Sequence, residues 1–515
     1  MRVLVVVSGQ QWLGGLTIQT ALLCRELEAL GHAIAVVSIG ADAVIDLFRH
    51  ARTRYGPRGA RDDFRDGRGQ ARDGEYVFRY EVVADAARYL PPGGPALRAA
   101  LAPIARLGMA VVSQPAQQAR APLVQARGAA ASLARGVTAA LDAGLSGGAA
   151  EAPFLARLLL NTDREDLDRL EAIRRWFQPD VEYCCDLALV PMMAKLEDRG
   201  IPLIAAAQGF ELVQRRGVGL LAALRAARHR LDLILSGSQA NVDENLAQLP
   251  EIGDGSVPVQ VIPYGVALDG GWDVARSAAI RRLRDLEACL SPEQRGTAGL
   301  WGDVPAYGGR SDAPAPFVIT CLSRIDVEKG TDLALHALSI LRREGVPARL
   351  WIAGNAMPGS AYLDVLRQKI RMMDLGHCTS LIGTITDQLD KVALLRASDA
   401  FAAGFVRSEP FGLVYTEAFA SALPVVAPAT GAAPELMAYV GDTSTLYPPN
   451  DTGALADRLR QLYESPERRT RLAMLERRAF LTRFNATEMA RAAAEAFEVA
   501  IRARAGRPHA QPAEK

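Results

Sequence analysis

Short unbroken apolar runs alternate with longer stretches of helical periodicity, and this alternation restricts the chain to α/β architectures built on parallel sheets. Val3-Leu4-Val5-Val6-Val7 is a nearly continuous β-branched run, the pattern of a strand covered by helices on both faces. A turn at 9–15 follows. Leu16, Leu22, Leu23, Leu27 and Leu30 then recur at helical spacing, and Gly31 stands where a helix C-cap belongs. Residues 33–39 form a second buried strand. A strand, a helix and a strand in this order imply a right-handed crossover. A third strand is expected at 76–83.

The rhythm then lapses. Residues 49–73 scatter arginines and aspartates among glycines and read as a surface loop. Residues 86–141 carry Arg88, Arg98, Arg106, Arg120, Arg127 and Arg135 and no acidic residue, with Leu97, Leu101, Ile104, Leu123, Leu133, Val137 and Leu141 at helical spacing. Two or more basic amphipathic helices are expected there. They suit either an anionic membrane face or lipid-linked substrate, or plain packing on the sheet with solvated arginines.

Strands return at 181–185, 201–207, 231–236 and 259–262, with a helix at 188–199. A short helical stretch and a Gly- and Pro-containing run fill 266–315, the composition of a linker. A second series begins at 317. Strands are expected at 317–321, 349–353, 380–382, 400–403 and 424–427, and helices at 331–344, 361–375, 389–397 and 414–422, with a last helix at 486–504. At roughly 150 residues per domain, a 515-residue chain needs more than one core. The expectation is an α/β protein of two doubly wound Rossmann-like domains facing across a cleft. Residues 1–265 form the first, with an insertion at 41–178. Residues 266–315 link it to the second at 316–485, and 486–515 form a helix, able to pack back on the first domain, and a polar tail.

Composition removes several classes of function. Lys+Arg number 59 against 58 Asp+Glu, a net charge of +1, so the basic excess of a dedicated nucleic-acid binder is missing. The apolar runs fall short of the ~18 residues that cross a bilayer, and residues 3–7 are too short for a signal-peptide core. Cys24, Cys184, Cys185, Cys289, Cys321 and Cys378 follow neither metal-ligand nor disulfide spacing. A reduced, cytoplasmic protein is expected, peripheral on the inner membrane face if the basic helices bind it.

Chemistry concentrates in the second series. The first strand there leads into Ser323-Arg324-Ile325-Asp326-Val327-Glu328-Lys329-Gly330, two cations around a short turn with a helix start behind it. Free N–H groups and the helix dipole make such a place an anion site. Arg324 can fork two phosphate oxygens and Lys329 can add a point charge. Alone, the turn equally suits a surface salt bridge with Asp326 and Glu328. Further on stands Glu409-Pro410-Phe411-Gly412-Leu413-Val414-Tyr415-Thr416-Glu417, with two glutamates eight positions apart. Gly412 lets the backbone approach a ligand. A carboxylate at Glu417, inside the helix, suits the hydroxyls of a ribose, and one at Glu409 suits those of a sugar.

These stretches resemble the donor-binding domain of retaining GT-B glycosyltransferases of the family 4 type (glycosyl transferases group 1). The similarity covers 317–485, including Ile382-Gly383, Pro424-Val425-Val426-Ala427 and Gly431-Ala432-Ala433-Pro434-Glu435. It extends loosely over 1–40 and 179–265, through Gly14-Gly15, Gly31-His32 and Pro263-Tyr264-Gly265-Val266. The resemblance implies transfer of a sugar from a nucleotide diphosphate sugar to an acceptor hydroxyl, without a metal or other cofactor. Arg324 and Lys329 would neutralise the donor diphosphate, Glu417 would hold the ribose and Glu409 the donor sugar. The backbone at Phe411, Gly412 and Leu413 would touch phosphate and sugar, Gly383 would line the base pocket, and Gly14 and Gly15 would close over the phosphates. A glycan or lipid-linked acceptor would lie on the first domain, with Asp186 and Glu211 as acceptor contacts and cell-envelope polysaccharide or glycolipid as the product. No nucleic-acid partner is implied.

Two departures leave alternatives open. Where the family commonly has His-Gly, this chain has Gln208-Gly209, and Gln208 hydrogen-bonds but cannot act as acid or base near neutral pH. The family's Pro-Ser before the first glutamate is replaced by Phe405-Val406-Arg407-Ser408. A donor-binding scaffold with transfer lost is one alternative. A GT-B nucleotide-sugar epimerase is another, though it calls for a histidine that the Gln208 stretch does not offer. A dinucleotide-dependent dehydrogenase is disfavoured because 9–15 lacks G-x-G-x-x-G. His32, His336 and His377 have no suggested partner, and Cys184-Cys185 suits sheet packing.

Overall fold

The computed structural model describes residues 1–9, 15–40, 77–80, 164–207, 218–249, 252–295, 300, 316–356 and 361–506. Thirteen strands among them form two parallel sheets. The first contains β1 (Arg2–Gly9), β2 (Ala33–Gly40), β3 (Val77–Tyr80), β4 (Val181–Cys184), β5 (Leu203–Ala207), β6 (Leu231–Ser236) and β7 (Val259–Val261), in the order β3-β2-β1-β4-β5-β6-β7. Val3 of β1 lies opposite Ile34 on one side and Val181 on the other. Val3 to Val7 are buried throughout, because α1 (Gly15–Ala29) and α2 (Arg164–Phe177) join other helices in covering the sheet. The second sheet contains β8 (Phe317–Leu322), β9 (Ala348–Ala353), β10 (Thr379–Gly383), β11 (Ala400–Ala402), β12 (Val425–Pro428) and β13 (Leu446–Tyr447), in the order β10-β9-β8-β11-β12-β13.

In each sheet the strand order reverses once, between β1 and β4 and between β8 and β11. Ligand crevices in open parallel sheets form at such reversals, beyond the carboxyl ends of the strands. Arg324 and Lys329 follow β8 and Glu409 follows β11, so the topology sets the two motifs side by side.

One expected element differs from the structure. The helix read over 188–199 ends at Met193, as α3 (Val190–Met193) after a 3₁₀ turn at Leu187–Leu189. Beyond it the turns tighten, Lys195 N donating to Met192 O and Leu196 N to Met193 O, each at 3.1 Å, and the carbonyls that follow are held from outside: Arg230 donates to Leu196 O at 3.0 Å and Arg174 to Glu197 O at 3.0 Å. The Gly- and Pro-containing run read as a linker lies, apart from Leu300, outside the described residues, and the short helical stretch expected before it packs on the second domain. Following α4 (Val218–Ala227) and α5 (Gln239–Glu244), α6 (Arg276–Cys289) and α7 (Pro292–Arg295) pack there. Leu300 O accepts from Arg349 Nε at 3.0 Å and Trp351 Nε1 at 2.9 Å. The remaining run 301–315 and the basic stretch 86–141 lie outside the described residues.

The second domain's helices are α8 (Thr331–Arg343), α9 (Tyr362–Met372), α10 (Gln388–Ala397), α11 (Leu413–Ala420), α12 (Ala433–Val440), α13 (Thr452–Glu464) and α14 (Pro466–Thr482). Those after 428 were not anticipated. The final helix, α15 (Ala486–Ala505), returns to the first domain. Its small face of Ala486, Ala490, Ala493 and Ala500, with Met489 and Phe497, is buried in the first core, and Phe497 lies 5.6 Å from the Tyr183 ring. Arg504 fastens the far end to Asp198 and, at 3.3 Å, to Asp232. The two passages of the chain between domains run side by side: Val266 N donates to Phe484 O at 3.1 Å and Ala486 N to Val266 O at 2.9 Å. A Cβ on Gly265 would fall 2.1 Å from the Asn485 carbonyl carbon, so only glycine allows this crossing. No described helix is long and apolar enough to span a membrane.

Candidate active site

The loop after β8 is a short, capped turn. The Asp326 carboxylate accepts from Glu328 N at 3.0 Å and starts a 3₁₀ turn at Val327–Lys329. Gly330 then takes a left-handed conformation, φ +56°. A Cβ there would fall 2.0 Å from Gly404 O, and a Cβ on Gly404 would fall 2.0 Å from Gly330 O. The loops after β8 and β11 therefore press together backbone to backbone. This approach delivers Lys329 to the second loop, where Nζ lies 2.5 Å from Glu409 Oε2 and 4.9 Å from the centre of the Phe405 ring. Lys329 thus pairs with a residue 80 positions away and not with its own turn. Glu328 instead faces Arg407 at 3.4 Å. Arg324 makes only a loose 3.4 Å contact with Asp326 and keeps about half its side chain exposed, at 49%, which leaves its fork available to an anion.

The loop carrying Glu409 is held by its backbone. Glu409 O accepts from Ala432 N at 3.0 Å, and Gly431 (φ +58°) sits so close that a Cβ would meet Glu409 O at 2.4 Å. Gly412 (φ +79°) caps α11 and offers no side-chain oxygen to its first amides, so those N–H groups and the dipole can serve an anion. Glu417 lies in the second turn of α11, with Oε1 2.5 Å from Lys391 Nζ on α10. Among the described residues, each glutamate keeps one carboxylate oxygen without a partner. Each can accept hydroxyl groups while its charge is balanced by an ammonium. Tyr415, behind Glu409, has its phenol pKa pushed well above the ordinary value by burial, with Glu409's charge adding to the shift. It stays neutral.

Gly383 ends β10 in a left-handed conformation, φ +84°. Its carbonyl accepts from Gly354 N at 2.8 Å. Gln294 of α7 donates to Ile382 O at 2.9 Å and lies where a side chain on residue 383 would be, 3.0 Å from a Cβ. Sequence reasoning missed Lys391 and Gln294, because neither belongs to a motif and each reaches the site from a separate element.

On the first domain, Asp186 follows β4 and is buried. Its carboxylate accepts from Ala188 N at 2.8 Å, capping the 3₁₀ turn. Gly15 opens α1. Gly14, Gln208 and Glu211 lie outside the described residues. The domains meet beside the Glu409 loop. The Ser238 hydroxyl donates to Pro410 O, and Glu435 Oε2 accepts from Gln239 N at 2.8 Å and Ala240 N at 3.3 Å. Phe411 is buried against Tyr264, ring centres 5.0 Å apart. Among the expected site residues, the structure gathers Arg324, Lys329, Glu409, Phe411, Gly412, Leu413 and Glu417 around the β8–β11 reversal, with Gly383 at the end of the edge strand β10, beyond β9.

Residues 311–477, which hold all of these, match the family model described as glycosyl transferases group 1. The match covers about a third of the chain, and this second domain is similar to that family. Glycogen synthase of Mycobacterium tuberculosis is 30% identical over 196 residues, 38% of this chain and 46% of that protein. The GDP-mannose-dependent alpha-(1-6)-phosphatidylinositol monomannoside mannosyltransferase of Mycolicibacterium smegmatis is 33% identical over 168 residues, 31% and 41%. The chain thus spans less than half the length of these relatives. Its fold resembles Anabaena HepE, solved in complex with UDP, at a TM-score of 0.60 and 16% identity, covering 97% of this chain and 100% of that one. Sucrose-phosphate synthase from Thermosynechococcus elongatus gives 0.61 at 16% identity, covering 98% and 100%. The second domain and the first sheet together have a GT-B fold.

Proposed function

We propose that the protein transfers a sugar from a nucleoside diphosphate sugar to an acceptor hydroxyl, with the anomeric configuration retained and without a metal. One observation carries this reading: two Lys–Glu pairs, Lys329–Glu409 and Lys391–Glu417, flank the start of α11 at the strand reversal. A diphosphate seated there meets Arg324, Lys329 and the α11 amides, while the free carboxylate oxygens face hydroxyls. As the bond from the anomeric carbon to the diphosphate breaks, negative charge grows on the leaving oxygen. Preorganised donors at that point supply the stabilisation that water would have to reorganise to give. The acceptor oxygen attacks from the same face, and the leaving phosphate takes its proton. Glu409 holds the transferred sugar and Glu417 the ribose. Gln208 hydrogen-bonds the sugar in this scheme without acting as a base.

The relatives named for glycogen synthesis and for a phosphatidylinositol mannoside support a polysaccharide or lipid-linked acceptor, and with it a role in envelope polysaccharide or glycolipid assembly. The basic stretch 86–141 adds an anionic membrane face as a partner, to be read as salt-sensitive binding to anionic vesicles.

The test is a thermal-shift panel of UDP-, GDP- and ADP-sugars paired with an assay for released nucleoside diphosphate. A donor at 100 times its Kd should stabilise the fold by about 2.7 kcal/mol, with slow hydrolysis beside it. Stabilisation with no release under any acceptor points to the scaffold alternative. Neither effect with any donor sinks the proposal.

A further inference from the structure

We propose that Lys391 is a positioning residue that sets how strongly the site recognises the ribose of its nucleotide, acting through Glu417. The inference rests on the donor-binding reading above and adds a residue that no motif contains. Lys391 stands near the start of α10, at the end of the helix that faces the strand reversal, and its Nζ lies 2.5 Å from Glu417 Oε1. Both side chains are mostly but not fully covered, 21% and 14% exposed, so the pair is neither a buried structural bridge nor a free surface contact.

The helices that present the pair are held at several points. Arg396, further along α10, donates to Ser421 O beyond the end of α11 at 2.9 Å and to Val274 O at 2.9 Å. Arg282 of α6 binds Asp387 at 2.8 Å and Asp390 at 2.5 Å at the start of α10. Val392, Ala393, Leu394 and Leu395 are buried behind it. Lys391 is therefore delivered on a fixed helix, and by holding Oε1 it fixes the rotation of the Glu417 carboxylate. The remaining oxygen, Oε2, has no partner among the described residues. A carboxylate clamped in this way offers a charged, oriented acceptor to a vicinal pair of hydroxyls, and hydrogen bonds to charged groups are the stronger class. Removing the ammonium leaves a carboxylate free to rotate and to be solvated, and recognition of the hydroxyl pair weakens while diphosphate binding elsewhere does not.

The experiment is isothermal titration of wild type, Lys391→Met, Lys391→Arg and Glu417→Gln with UDP, GDP and their 2′,3′-dideoxy forms. Wild type is expected to prefer the ribose form of its nucleotide by about 10-fold or more, as one to two charge-assisted hydrogen bonds allow. In Lys391→Met that preference should shrink to within about threefold, with the dideoxy form bound as in wild type, and Lys391→Arg should restore most of it. Lys391→Met combined with Glu417→Gln should discriminate no less than Glu417→Gln alone. Equal weakening of both forms in Lys391→Met marks a merely structural lysine and overturns the proposal, as does an unchanged or increased preference. If Lys391→Met does not fold, a preference in Lys391→Arg below threefold also overturns it. A wild type that binds neither UDP nor GDP takes down the donor reading itself, and this proposal with it.

Discussion

Gly404→Ala is the sharpest test of how the site is assembled, because it adds one methyl group and no charge. Gly404 does not occupy the left-handed region, so alanine introduces no backbone strain of its own. Its Cβ, however, would lie 2.0 Å from Gly330 O and 2.8 Å from the Gly330 carbonyl carbon. Ordinary contact begins near 3.4 Å, so the two loops must part by more than an ångström. Overpacking of this kind typically costs about 1–3 kcal/mol. The larger effect is on function, since Lys329 and Glu409 sit on opposite sides of the seam and their 2.5 Å contact depends on it. A displacement of about 1 Å in a catalytic constellation lowers turnover by roughly 10²-fold. The expected result is a modest loss of melting temperature with a drop of about that size in kcat/KM for sugar transfer. Gly330→Ala should be worse, because it adds the left-handed penalty of about 1–2 kcal/mol to the same clash. The assay is nucleoside diphosphate release on purified variants whose circular dichroism matches wild type. A folded Gly404→Ala protein with undiminished kcat/KM would show that the loops need not touch for the site to work, and the assignment of Lys329 and Glu409 to one site would fall with it.

Lys329→Met or Arg324→Ala should lower kcat by about 10²–10³-fold, on the order of 3–4 kcal/mol, if these cations stabilise the departing diphosphate; wild-type rates in both variants would remove the phosphate assignment. Glu476 is fully buried, with one oxygen accepting from Val425 N at 3.0 Å and the other unpartnered, and burial pushes its pKa well above the carboxylate range. A raised carboxyl pKa gives stability that is complete below the unfolded value and is lost as pH climbs towards the folded one. Melting temperature should therefore fall with rising pH above about 4.5, and Glu476→Gln should flatten that fall; identical slopes in both proteins would refute a neutral Glu476. Glu435→Ala should speed amide exchange at Gln239 and Ala240 by about 5–10-fold, as loss of a capping carboxylate worth ~1 kcal/mol predicts, and unchanged exchange would mean the domain contact is transient in solution.

How far the site could be read in advance depended on sequence separation. The turn at 323–330 and the pair Glu409–Glu417 were legible because each motif lies within one loop and helix, where chain order alone sets which groups face the same way. The element boundaries around β8 and β9 were legible for the same reason, since burial on both faces leaves a mostly apolar run. The helix expected over 188–199 stops short where tighter turns take over, and two distant arginines hold the carbonyls that follow, contacts no local pattern displays. The helical stretch within 266–315 was legible as a helix, but its docking was not, because Arg282 of α6 is paired across more than a hundred residues.

Residue order alone determined the alternation of strands and helices, the cationic turn and the carboxylate spacing, because these follow from neighbours along the chain. Which ammonium meets which carboxylate was decided only when the strands took their places. Lys329 finds Glu409 because β11 lies beside β8, and Lys391 finds Glu417 because α10 and α11 pack side by side. Strand order reflects how helices cover a twisted sheet, a property of the whole folded domain, and so the partner of a charged group cannot be found by looking at the charged group.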